Sequence, residues 1–227
     1  METVFDSTAC NAPGVSAMTP TPPVTEFLEM PTAELIIRYR RGVECFDRRL
    51  FDLTEKQIDT GFLPEADVGR WPIRVLIGHL VDADLVFSHR MRRAVGEDNP
   101  MVSVWDENAF IDNDVYGLRR AQRGPDSAEA AHRRVMSVVA GGVALIHTLR
   151  QWTGDWLMTL APEQISRRLL HPERGEQTVK TVLSYAAWHL EHHALYVKAK
   201  LDKLVGPEKA ETGGGGCGSS CGCHGKK

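Results

Sequence analysis

No run of apolar residues in this chain approaches the roughly 18 that a membrane-spanning helix needs. The opening residues, METVFDSTACNAPG, lack the basic start and apolar stretch of a secretory signal. The expectation is a cytoplasmic protein with no membrane partner. Basic charge is not in excess either: 27 Lys and Arg stand against 30 Asp and Glu, a formal net charge of −3. That leaves no electropositive footprint for nucleic acid, so small molecules or proteins are the expected partners. Cysteine is scarce until the end of the chain. Cys10 and Cys45 stand alone, and Cys217, Cys221 and Cys223 crowd into the last eleven residues. An odd, tail-weighted set of this kind excludes the disulfide framework of a small secreted domain. A sustained apolar/polar alternation is also missing, so strands are not expected.

What is present is a chain of 227 residues, 42% hydrophobic and 25% charged, ordinary values for one globular domain with appendages. Residues 1 to about 30 hold Pro13, Pro20, Pro22 and Pro23 and read as a flexible arm. From Pro31 to Leu53, the spacing of Leu35, Ile36, Tyr39, Val43, Phe46 and Leu50 predicts one amphipathic helix. Thr54-x-x-Gln57 then resembles a capping box. A second helix is predicted from Pro72 through Leu76, His79, Leu80, Ala83, Phe87 and Met91 to Gly96. Residues 97 to 125 read as a long connection with a short helix near Trp105 to Phe110. A third helix, opened by Asp126-x-x-Glu129, is expected to stop near Gly154, with Gly141-Gly142 weakening it or allowing close packing. After a Pro162 turn and the loop His171-Pro172-Glu173, a fourth runs from Gln177 to Leu204. Four helices of roughly 20 to 28 residues make an all-α bundle the natural architecture. The division is therefore an arm (1–30), a bundle (31–206) and a Gly/Cys-rich tail (207–227).

Histidines on the apolar faces carry the chemistry. His189 and His193 are one turn apart in the last helix, so both imidazoles leave from one side and can meet one ion. Such pairs also arise by chance on solvated faces, and a third ligand must come from another helix. His79, inside an apolar stripe, suits that place best, with His147 as its competitor. Three neutral imidazoles would hold a divalent transition metal (zinc, nickel or iron) and leave a position open for water or substrate. His192 lies about 100° around the helix from His193, and Asp82 follows His79 by three residues. Either fits as a group that orients a ligand or moves a proton. His171 is a candidate for the mouth of the site, whereas Trp71, Trp105 and Trp188 fit core or mouth packing.

The segments RWPIRVLIGHLVDADLVFSHRMRRAVGEDNP and HPERGEQTVKTVLSYAAWHLEHHALYV resemble the two signature blocks of the DinB superfamily, specifically its YfiT-like branch. The resemblance covers roughly residues 31 to 204. It implies a DinB/YfiT-like four-helix bundle with flexible tails, and it places the metal ligands on His79, His189 and His193. Two features depart from the pattern: VWDENAF at 104 to 110 matches the usual aromatic-plus-acid stretch loosely, and Tyr185-Ala186-Ala187-Trp188 alters the usual spacing before the first histidine of the last block. For chemistry, the resemblance implies a thiol S-transferase joining a low-molecular-weight thiol cosubstrate to an electrophilic small molecule. A metal-dependent hydrolase with the same ligands is the alternative, and a non-catalytic metal-handling or stress-response protein is the rival from another class. A homodimer is the oligomeric expectation, because two-fold assemblies are the commonest.

The tail lies outside that resemblance. Cys217, Cys221, Cys223 and His224 form C-x3-C-x-C-H, a soft ligand set suited to a thiophilic ion such as Zn(II) or Cu(I), or to redox chemistry. The spacing is not the paired C-x2-C of familiar zinc folds. Such a tail would serve to load or protect the bundle's metal or to exchange thiols with substrate.

Overall fold

The computed structural model describes residues 21–207 apart from 62, 67 and 124–126. Three long helices form its frame: α4 (Ile73–Gly96), α7 (Ala128–Leu157) and α9 (Val179–Leu204). Around them lie α1 (Val24–Glu29), α2 (Thr32–Arg40), α3 (Glu55–Ile58), α5 (Glu107–Asp112), α6 (Leu118–Gln122) and α8 (Pro162–Ile165), with 3-10 turns at Gly42–Cys45, Arg48–Asp52 and Pro64–Ala66. A hairpin of β1 (Arg168–His171) and β2 (Gly175–Thr178) leads into α9. None of these helices is long and apolar enough to cross a membrane.

Contacts along the helices give their directions. A Cβ placed on Gly142 would sit 2.6 Å from Ile77 Cγ2, and farther along both helices Arg150 meets Asp84, so α4 and α7 run parallel. Gly142 thus permits the close approach that the diglycine suggested, while Gly141 has only one distant neighbour, at 4.0 Å. Likewise Phe27, near the end of α1, meets Ser184, and Arg38, near the end of α2, bonds Glu191 farther along α9, so the chain from the end of α1 through α2 runs with α9. The histidine contacts join the start of α4 to the middle of α9, and Met91 and Ala94 pack with Val179, Val182 and Leu183, which makes α4 and α9 antiparallel. Parallel neighbours explain the long connection from 97 to 127: α4 has 24 residues, about 36 Å of rise, and the chain must return that distance before α7 begins.

Four sequence expectations need correction. The predicted first helix is α2 followed by two 3-10 turns. Gly42 packs so closely on Arg150 that a Cβ would collide with its guanidinium, and Asp47 caps a new turn by accepting from the Arg49 amide at 2.9 Å. The periodic residues Leu35, Ile36, Tyr39, Phe46 and Leu50 are still buried, because a broken helix can present the same apolar face. Second, residues 24–29 are helical rather than part of a flexible arm: Phe27 is fully buried, and its carbonyl accepts from the Ser184 hydroxyl. Third, α7 continues through Gly154 to Leu157, since Thr153, Gly154 and Leu157 all face the interior; its start is capped by Ser127, whose side chain accepts from the Ala130 amide. The expected Asp126 cap lies outside the described residues. Fourth, the stretch around His171-Pro172-Glu173 is the turn of a hairpin, with Gly175 at φ +70°. Its strands are four residues each, too short for an alternation signal, and α9 begins at Val179, capped by Thr178.

The apolar interior divides in two. One cluster gathers Phe27, Leu35, Met91, Leu157 and Val182, and the other Leu50, Leu76, Leu80, Val139, Ile146, Leu190 and Val197. A polar layer joins the helices, and its centre is Arg150, 1% exposed. From α7, Arg150 makes a two-pronged bond to Asp84 on α4 (2.6 and 2.8 Å) and donates to the carbonyls of Tyr39 on α2 (3.1 Å) and Ala186 on α9 (2.8 Å). One guanidinium therefore contacts all the main helices. Beside it, Ser88 bridges the Tyr39 and Thr153 hydroxyls at 3.5 and 3.0 Å. Breaking a buried ion pair strands the remaining charge, so Arg150→Ala should cost about 3 to 5 kcal/mol in urea unfolding, and Asp84→Ala a similar amount. The double variant should lose well short of the sum. Additive losses, or a loss below about 1 kcal/mol for Arg150→Ala, would count against this role.

Candidate metal centre

His79 reaches the site from the second turn of α4, where Ile73, Leu76, Ile77 and Leu80 bury its face. His189 and His193 arrive from α9, one turn apart, on the face held inward by Ala186, Leu190 and Val197. Antiparallel packing of the two helices brings the three rings together. One ligating atom from each lies within 4.8 Å of the other two, and the Nε2 atoms of His79 and His189 are 3.0 Å apart. Ring centroids are 4.9 Å (His79–His189), 5.0 Å (His79–His193) and 4.6 Å (His189–His193) apart, each pair steeply tilted.

The electrostatics suit a cation. Burial pushes the His79 pKa down to about 4. For His189 and His193 burial is again the main cause of a large downward shift, reinforced by the neighbouring imidazoles. All three rings are thus neutral near pH 7, the form that offers a lone pair to a metal. The Nδ1 atoms of His79 and His193 are buried with no hydrogen-bond partner, a costly state for polar atoms in an interior. Three convergent neutral imidazoles and unpaired ring nitrogens fit a bound divalent ion better than a self-satisfied polar core.

Aromatic side chains wall the centre. Trp71, just ahead of α4, lies edge-on to His79 at 5.0 Å and stacks near His193 at 6.2 Å. Trp105 stacks on His79 at 5.1 Å, and Phe87 meets His189 at 5.8 Å. The Trp105 indole nitrogen is buried without a partner. The expected mouth role thus holds for Trp71 and Trp105. In the loosely matching VWDENAF stretch, the tryptophan covers His79 while Asp106 caps α5 through the Ala109 amide at 3.0 Å.

The other candidates separate. His192 is outside the cluster: its ring is stacked against Trp188 (4.8 Å) and packed on Tyr196 (4.5 Å), its Nδ1 lies 2.9 Å from the Thr21 hydroxyl, and its centroid is 5.3 Å from that of His193. Trp188 belongs to that stack and bonds the Pro22 carbonyl. Asp82 faces away from the ligands into a pocket of about 360 Å³ that it lines with Tyr116, Gly142 and others. Burial raises its pKa, with Tyr116 opposing. His147 is exposed on α7 and is no ligand. His171 is buried, accepts from the Glu173 amide at 3.2 Å, and stays with the hairpin turn. Cys217, Cys221, Cys223 and His224 lie outside the described residues. The sequence reading missed Phe87 as a wall residue and the Arg150–Asp84 pair. Opposite charges at two positions of otherwise apolar stripes were the available signal for that pair.

Comparison with known proteins agrees with this geometry. A protein of Bacillus mycoides (strain KBAB4), provisionally named a metal-dependent hydrolase, is 25% identical over 177 residues, 76% of this chain and 89% of its own. One of Oceanobacillus iheyensis with the same kind of provisional name is 26% identical over 148 residues, 65% of this chain and 73% of its own. Among solved structures, YfiT from Bacillus subtilis, described as a probable metal-dependent hydrolase with an unusual four-helix bundle topology, matches with a TM-score of 0.52 at 21% identity, over 80% of this chain and 87% of that one. That likeness supports the bundle fold. The profile of the DinB superfamily matches residues 24–197, most of the described chain and all three clustered histidines, so the chain belongs to the DinB superfamily.

Proposed function

We propose that this protein is a metal-dependent enzyme that transfers a low-molecular-weight thiol to an electrophilic small molecule at His79, His189 and His193. The observation that carries the reading is the convergence of three neutral imidazoles, His79 and His193 buried and His189 half-buried, on one point between α4 and α9. A divalent ion there would supply Lewis acidity, deprotonating a coordinated thiol and lowering the pKa of a coordinated water toward 7. Among the described residues no carboxylate joins the cluster, and the surround is Trp71, Trp105 and Phe87. Such a wall packs against an apolar electrophile. Both features favour sulfur as the nucleophile. In the reaction the thiol loses its proton, a sulfur–carbon bond forms, and the electrophile's leaving group departs with its electron pair. His192, beside His193, is assigned as the proton carrier; Asp82, turned toward Tyr116, is not. Hydrolysis, the activity named for the relatives, uses the same ligands with water in place of the thiol. A non-catalytic metal carrier would show the ion without turnover.

Two measurements test this. Elemental analysis should find about one equivalent of a divalent transition metal per chain bound at the three histidines. The variant with His79→Ala, His189→Ala and His193→Ala together should lose that equivalent, and a chain truncated before Gly213 should keep it. Metal retained in the triple variant would move the site elsewhere, with Cys217, Cys221, Cys223 and His224 as the next candidates. For the chemistry, the metal-loaded protein should conjugate monochlorobimane to free cysteine, and His192→Gln should keep the metal while lowering kcat about 100-fold. Turnover of p-nitrophenyl acetate without thiol, and no conjugate, would favour the hydrolase. Truncation before Gly213 should lower turnover if the tail thiols exchange with substrate, or slow the rate of metal uptake, with the final equivalent unchanged, if they deliver the ion. No change in either would remove the tail from the mechanism.

A further inference from the structure

Two buried arginines are matched to acids. Arg150 has Asp84, and Arg74 pairs with Asp59 and Glu55. Arg90, 8% exposed on α4, departs from that pattern. Of the five N–H donors of its guanidinium, one bonds the Ser103 carbonyl at 2.9 Å, and among the described residues no carboxylate lies within ion-pair distance. Like charge gathers around it instead. Met101 pairs with Leu170 in parallel, and the Val102 amide bonds the Leu170 carbonyl. Ser103, two residues past that bridge, therefore brings Arg90 against the turn from His171 to Gly175. Arg174 in that turn lies over the Tyr185 ring at 5.4 Å and makes no ion pair. Burial, and then Arg174, hold the Arg90 guanidinium below its ordinary pKa; burial, and then Arg90 and Arg174, depress His171, while Glu173, in the same turn, opposes both shifts from beyond ion-pair distance. Lys200 is also buried without an acid, bonding the Gly61 carbonyl at 3.0 Å, but it has no such cationic company. Burying an uncompensated guanidinium is costly by itself, and a second cation beside it adds to that.

We propose that Arg90 and Arg174, with His171 beside them, form a receptor for an oxyanion, a phosphate or carboxylate group carried by a small-molecule ligand. Guanidinium groups suit this task because their planar N–H forks match two oxygens at once. The location links the receptor to the histidine centre. Arg90 follows His79 by eleven residues, three helical turns on nearly the same face of α4 and about 16 Å along it. Phe87, which meets His189, lies between them, and Tyr185, under Arg174, is one turn before His189. An elongated molecule with one anionic end would thus span from the cationic group to the metal centre. That link rests on the function proposed above; the anion receptor does not.

Calorimetric titration of the full-length protein with inorganic phosphate, and separately with acetate, against chloride at matched ionic strength tests the receptor. Saturable binding of at least one of these anions is expected. It should weaken about tenfold or more in Arg174→Ala, whose exposed side chain can be removed without opening the interior, and in Arg90→Gln. Binding should persist in the triple histidine variant, which separates this receptor from any anion held at the metal centre. If phosphate alone binds, the ligand carries a phosphoryl group; if acetate binds as well, a carboxylate suffices. Absence of saturable binding by either anion, unchanged affinity in Arg174→Ala, or loss of binding only in the triple histidine variant would overturn the proposal.

Discussion

The structure depends on a single buried charge. Arg150 holds Asp84, Tyr39 and Ala186 at once, so α2, α4, α7 and α9 meet around one guanidinium with no solvent to share the load. Such a group is costly to bury and strongly directional once buried. It tolerates few arrangements of the four helices. Shifting α4 would remove Asp84, and sliding α9 would set a larger side chain where the small, fully buried Ala186 lets the guanidinium reach the helix backbone. The register that satisfies Arg150 is also the register that places His189 and His193 opposite His79, since Ala186 and His189 are three residues apart on α9 and Asp84 follows His79 by five on α4. Apolar packing alone specifies register less sharply, because Leu, Val and Ile side chains accommodate one another in several ways.

The convergence of the three histidines follows from that registration. Histidine rings in water are solvated and partly protonated near neutral pH, but the bundle shields these three from much of the solvent and holds them neutral and convergent. Aromatic side chains from the approach to α4 and from the segment before α5 close over the result. The long connection after α4 therefore does two jobs. It carries the chain back so that α7 can run parallel to α4, and on the way it lays Trp105 on His79 and the Ser103 carbonyl on Arg90.

Much of this was legible in the sequence, for physical reasons that differ by residue. The long helices were visible because burial of one face enforces a 3.6-residue period, and α4 and α9 follow it. The i,i+4 spacing of His189 and His193 is a local property and needed no knowledge of the fold. Selecting His79 over His147 was a statement about which helix faces pack, and the family resemblance carried that step. Illegible features were those set by tertiary contact. The first predicted helix breaks because Arg150 must approach Gly42, a contact between residues more than a hundred positions apart. The hairpin before α9 was hidden by its shortness. Asp82 was placed near the ligands by sequence distance, yet it faces Tyr116 instead.

The most direct test of the account is X-ray absorption at the metal edge of the full-length, metal-loaded protein. Ligation by His79, His189 and His193 predicts a first shell of nitrogen or oxygen at about 2.0 to 2.1 Å for zinc, with the outer-shell scattering of imidazole and no sulfur. A sulfur shell near 2.3 Å, or a spectrum unchanged in the triple histidine variant, would place the ion on other ligands and contradict the central claim.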